Sequence, residues 1–270
     1  MRTERKSKLL APYIGLTVAT AAGILILFWI HASPKVPMSG VAFWFLLSLA
    51  AETFWLPTPT GKGMVSMSLA ANLAVLLALP ATLAMSLAGL SVVLADLLLH
   101  RRSAIKSVFN GSQTIVALAL ALSVARWLGL GSVGSIGMIL LLHPVAVVSL
   151  LPIFSLTNTL LVSGAIALSS GEPFWKVWRE NYGDWYQHFS SLALMVVGIG
   201  LLIGLETIGY MSGLAMLLVL LVLRDAYRLR VGRGVSFAAA WKRPVAPTPL
   251  DSGSRGGTRG VFPASGCGGR

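Results

Sequence analysis

Apolar residues run through this chain in long uncharged blocks separated by short polar links. The blocks are Leu9 to Ile30, Val41 to Trp55, Ser68 to Leu79, Ala81 to Leu99, Ser107 to Leu128, Ile136 to Leu168, His188 to Ile208 and Tyr210 to Tyr227. Most approach the ~20 residues needed to carry a helix across about 30 Å of hydrocarbon. The pattern predicts an all-α polytopic membrane protein, a bundle of six to eight transmembrane helices. The range reflects two places: Ser68 to Leu79 is too short to span upright, and Pro144 and Pro152 can break or kink the sixth block.

Two links depart from simple loops. "WLPTPTGKGMVSMS", residues 55–68, carries two prolines, two glycines and Lys62 between short apolar runs. It disfavours helix, and irregular backbone at membrane depth persists only against protein or a water-filled cavity, so this one irregular segment is expected to fold back on the bundle. "GKGMVS" lacks the spacing of a phosphate loop. "SGEPFWKVWRENYGDWYQ", residues 170–187, sets Trp175, Trp178, Tyr182 and Trp185 at helical spacing opposite Lys176, Arg179, Glu180 and Asp184. That predicts an interfacial amphipathic helix from Pro173 to Tyr186, with Ser170 as its cap.

Composition reinforces the membrane reading. Of 270 residues, 56% are hydrophobic and 11% charged, and mean hydropathy is +0.80. The formal charge of +12 gathers at block ends, not over a face interleaved with stacking aromatics, so nucleic acid is not the expected partner. Arg2, Arg5, Lys6 and Lys8 precede the first block, Arg101, Arg102 and Lys106 follow the fourth, and Arg224 to Arg243 follow the last. By the positive-inside rule both termini are cytoplasmic, in a multi-pass cell-membrane protein contacting anionic headgroups. The domains follow: a basic N-terminus over 1–8, the bundle over 9–230, and a Pro-, Gly- and Ser-rich tail over 231–270 expected to be disordered. Trp29, Trp44, Trp55, Trp127, Trp175, Trp178 and Trp185 fall near block ends, as an aromatic belt does.

Candidate chemistry is sparse. Cys267 is the only cysteine, and His31, His100, His143 and His188 are dispersed, so no metal centre, cofactor site or catalytic constellation is expected. Glu52, Asp96 and Asp225 sit near block ends, where local pairing and headgroup water can hold them, Asp96 one turn before His100. Polar stripes at Ser107, Asn110 and Thr114 and at Ser155, Asn158 and Thr159 should face inward, because amides facing lipid are costly. They read either as interhelical hydrogen bonds or as a ligand pocket lined by Asn72, Gln113 and Asn158, with Lys62 and Asn110 beside it. Gly200 and Gly204 permit close helix approach, inside the molecule or between two copies.

Three stretches carry a resemblance: "LPTPTGKGMVSMSLAANLAVLLALP", "LADLLLHRRSAIKSVFNGSQ" and "NTLLVSGAIALSSGEPFWKVWREN". Together they resemble the multi-pass N-terminal membrane module of bacterial HD-type phosphohydrolases and some diguanylate cyclases, over roughly Phe45 to Arg228. The matching positions are Asp96, Lys106, Asn110, Gln113 and Asn158. The resemblance implies a membrane anchor and sensory input, distantly like the substrate-binding subunits of vitamin uptake transporters. Such modules lead into a catalytic domain; here the tail stands where that domain is expected, near Val231, so no cyclic-nucleotide chemistry carries over. Two functions follow: a sensor-like or small-molecule-binding module acting on a cytoplasmic signalling partner, or a transport subunit served by an ATPase. A scaffold without ligand is the third. Arg101, Arg102, Lys106, Trp175, Trp178 and Arg179 are the expected partner or lipid contacts.

Overall fold

The apolar blocks become helices almost block for block in the computed structural model, which describes residues 2–30, 36–57, 64–66, 68–130, 139, 142–183, 185–215, 217–219, 221–222 and 225. The helices are α1 (Arg2–Ile30), α2 (Met38–Glu52), α3 (Ser68–Ala78), α4 (Ala81–Leu94), α5 (Ala104–Trp127), α6 (Pro144–Ser170), α7 (Phe174–Tyr182) and α8 (Trp185–Ile208). Between α2 and α3, β1 (Trp55–Pro57) and β2 (Met64–Ser66) pair antiparallel, Trp55 opposite Ser66. The chain is an all-α polytopic membrane protein apart from this small hairpin. The irregular segment thus has paired flanks, while its centre, Lys62 included, lies outside the described residues, as does the tail from 226 onward.

Among the described residues, five helical stretches are long and apolar enough to cross a bilayer: Leu9–Ile30, Ala81–Leu99, Ala104–Trp127, Pro144–Ser170 and Ser191–Ile208. Met38–Glu52 and Ser68–Ala78 are apolar but shorter. The shorter of these, α3, would extend only ~16 Å at 1.5 Å per residue, and every residue from Ser68 to Leu77 is buried. It is an internal half-helix, not a lipid-facing crossing. It packs on α8, α2 and α4, while α5 packs on α6, α4 and α1.

Several boundaries differ from expectation for local reasons. Pro144 begins α6 instead of breaking it, since the first helical turn needs no donor there. Helix α1 already starts at Arg2, so the basic segment prolongs the helix. The amphipathic helix stops at Tyr182, and Trp185 and Tyr186 open α8. Ser170 does not cap α7: its hydroxyl accepts from the Glu172 N–H at 3.3 Å, within the link after α6, where Gly171 takes φ 75°. Trp44 is 5% exposed and belongs to the core, whereas Trp29, Trp127 and Trp175 are exposed as a belt requires.

Candidate functional site

The α4–α5 corner holds a buried ion pair. From Ala95 to Leu99 the helix widens by one residue per turn, so the His100 N–H reaches the Ala95 carbonyl. Arg101 then turns the chain at φ 50°, and the Arg102 N–H donates to the Asp96 carbonyl at 2.9 Å. This wrapping brings the Arg102 guanidinium back on the same residue, Nη1 lying 3.1 Å from Asp96 Oδ1. Asn110, nearly two turns into α5, donates from Nδ2 to Asp96 Oδ2. Asp96 is 2% exposed. Headgroup water therefore does not hold it; a guanidinium on one side and an amide on the other do, stapling α4 to α5. Glu52 is likewise buried, so headgroup water does not hold it either.

The other amides behave differently. Asn72 of α3 is 2% exposed and Gln113 of α5 is 7% exposed. Their carbonyl oxygens, Oδ1 and Oε1, are buried without a hydrogen-bond partner among the described residues. Hydroxyls nearby do not supply one. Ser107 donates to the Ser103 carbonyl at 3.2 Å, Thr114 to Asn110 at 3.0 Å and Thr159 to Leu156 at 3.1 Å, each within its own helix. Ser107, Thr114 and Thr159 thus donate locally, while Asn110 crosses to Asp96 and Thr159 also accepts from Trp178 of α7.

Depth along the bundle can be counted from cross-helix contacts. A Cβ on Gly111 would lie 2.7 Å from the Gly89 carbonyl oxygen, so these two glycines oppose each other where α4 and α5 cross. Leu87 and Gln113, each two residues further toward the same end, are then level. Asn72 is seven residues before Leu79 and Leu87 seven after Pro80, on either side of the short link joining α3 to α4, which sets Asn72 near that level too. On the other side, the Tyr13 ring lies 6.1 Å from Phe109 of α5 and its hydroxyl donates to the Leu161 carbonyl of α6 at 2.9 Å. Gln113 lies four residues from Phe109 and half-buried Asn158 three from Leu161, ~6 and ~4.5 Å at 1.5 Å per residue. Three amides on three helices occupy one layer close to mid-bundle. No hydrogen bond joins them to one another among the described residues.

A small crevice lies between α3, α6 and α8, lined by Leu73, Val147, Leu150 and Met195 among others. Its apolar wall offers a water no partner. None of the three amides lines it; the alternation of apolar residues gave no sign of it.

At the Tyr13 end the surface residues separate into two groups. Trp178 turns inward, its Nε1 donating to Thr159 Oγ1 at 3.4 Å, and Arg102 is engaged by Asp96. Arg101, Lys106, Trp175 and Arg179 are exposed. On α7, Lys176 pairs with Glu172 at 3.0 Å, and that hydrogen bond raises the ammonium pKa. Burial pushes the Tyr182 phenol up to about 12, keeping it neutral. At the opposite end Arg126 sits over the Phe28 ring at 5.6 Å.

Gly200 has open space around it, and Gly204 meets Ser212 just beyond α8. The close helix approach comes instead at Gly198, whose added Cβ would lie 2.7 Å from the Ala70 carbonyl oxygen of α3. No group of three or more potential metal ligands occurs among the described residues. No family model, curated protein or solved structure matches the chain.

Proposed function

We propose that this membrane protein is a sensor-like module that binds a small molecule in its mid-bundle amide layer and relays occupancy to a cytoplasmic partner. The reading rests on the vacant carbonyl oxygens of Asn72 and Gln113. A buried amide oxygen without a partner costs roughly 1–3 kcal/mol, an arrangement favoured when a donor arrives from outside the chain. The ligand would offer N–H or O–H groups to Asn72, Gln113 and half-buried Asn158. Helix α7, charged and with Trp175 exposed, is the proposed contact for a signalling protein; an ATPase there would indicate transport instead.

Native mass spectrometry of protein extracted from its own membrane tests this. Wild type should carry a small molecule that is absent from N72L/Q113L/N158L. If the triple variant keeps the same adduct, or wild type carries none while the variant melts higher, the amides are merely frustrated and the proposal fails.

A further inference from the structure

We infer that the α4–α5 corner is a docking site for an anionic phospholipid, with Arg101 and Lys106 taking the phosphate and the neighbouring apolar side chains taking the acyl chains. This does not depend on the amide layer. The sequence marks six side chains at this end as surface contacts, and the structure separates them by charge. Arg102 is neutralised by Asp96. Around α7, Glu172 in the preceding link and Glu180 on the helix balance Lys176 and Arg179. What remains is Arg101 and Lys106, five residues apart, both exposed and neither ion-paired among the described residues.

The apolar surroundings favour lipid over a protein partner. Exposed large apolar residues on α4 and its widened last turn are Leu90, Leu97, Leu98 and Leu99, and on α5 they are Ile105, Val108, Leu120 and Trp127. They form an exposed apolar stripe at the corner end of each helix, interrupted on α5 between Val108 and Leu120. The two stripes converge on the corner itself: Leu98 is 68% exposed and Ile105 67% exposed, immediately beside the two cations. A hydrocarbon-facing stripe that ends in unpaired positive charge reproduces the layout of an anionic phospholipid at the headgroup level. A water-soluble partner would have to cover Leu97, Leu98, Leu99, Ile105 and Val108 as well as the cations, and further exposed apolar side chains lie along the helices at Leu90, Leu120 and Trp127.

Each cation near a negatively charged bilayer surface is worth about a factor of five in affinity, so the pair should give roughly thirtyfold. The test is lipid exchange in nanodiscs of phosphatidylcholine with a minor fraction of phosphatidylglycerol, read by native mass spectrometry. Wild type is expected to retain phosphatidylglycerol over phosphatidylcholine roughly thirtyfold, with enrichment falling in high salt. R101N/K106Q should abolish it; asparagine tolerates the left-handed backbone at residue 101, which keeps the corner folded. R101K/K106R should restore most of it, and R179Q on α7 should leave it intact. The inference is overturned if R101N/K106Q enriches like wild type, if R179Q loses as much, or if wild-type enrichment ignores salt. It is also overturned if a protein that co-purifies with wild type is lost from R101N/K106Q while the lipid stays.

Discussion

At the scale of single residues, the Asp96–Arg102 pair is asymmetric, and the asymmetry is measurable. Asp96 is 3% exposed at the side chain and Arg102 34%. Removing the arginine strands a buried carboxylate with Asn110 alone, whereas removing the aspartate frees a guanidinium that can turn to water. R102A should therefore cost ~3 kcal/mol or more, and D96A ~1–2 kcal/mol for the lost hydrogen bonds. Melting temperatures in detergent would show R102A unfolding lower; the reverse order would mean that Arg102 contributes little to holding Asp96. The identity of the partner was not legible beforehand. In a regular helix Asp96 faces residue 100, which points to His100, but the widened turn and the left-handed Arg101 advance the chain so that Arg102 arrives instead. By contrast, the inward placement of Asn72 and Gln113 was legible, because amides are costly in hydrocarbon.

At the scale of elements, glycines decide how closely helices pack. A Cβ on Gly111 would meet Val93 Cγ2 at 2.5 Å and the Gly89 carbonyl at 2.7 Å, while one on Gly200 meets nothing within 4 Å. G111A should therefore destabilise by ~1–3 kcal/mol through overpacking, and G200A should be neutral or gain up to about 1 kcal/mol from helix propensity. Thermal unfolding of both variants checks this; equal losses would contradict the crossing. The sequence draws attention to Gly200 and Gly204 because their spacing matches a familiar pattern, yet spacing does not say which side of α8 faces a neighbour. Trp44 misled in the same way: its place near a block end mimics a belt residue, while α2 turns it inward. The shortness of α3 was readable, but its complete burial depends on α2, α4 and α8 closing around it.

At the scale of the whole molecule, alternation of apolar blocks gave the helices and nearly their limits, since hydrocarbon thickness sets their length. Which helices meet was less open to reading. Composition offered one clue: α5 is rich in Ser, Asn, Gly, Gln and Thr and lies in the interior, while the Leu9–Ile30 stretch of α1 is mostly apolar and peripheral. The Tyr13 contacts with Phe109 and Leu161 set Ser103 and α7 at one end and Arg126 at the other. In a Cys267→Ser background, S103C is expected to react with impermeant maleimide only from the cytoplasmic side; reaction from outside would invert the bundle. The central claim, that the amide layer is built around a helix enclosed by protein, is tested most directly by carbene footprinting of the unmodified chain with a lipid-dissolved diazirine. Peptides bearing Leu16, Leu27 and Leu120 should carry adducts, and the peptide spanning Ser68 to Leu77, with Asn72, should carry almost none. Labelling of that peptide as heavy as that of α1 would place Asn72 against acyl chains and contradict the account.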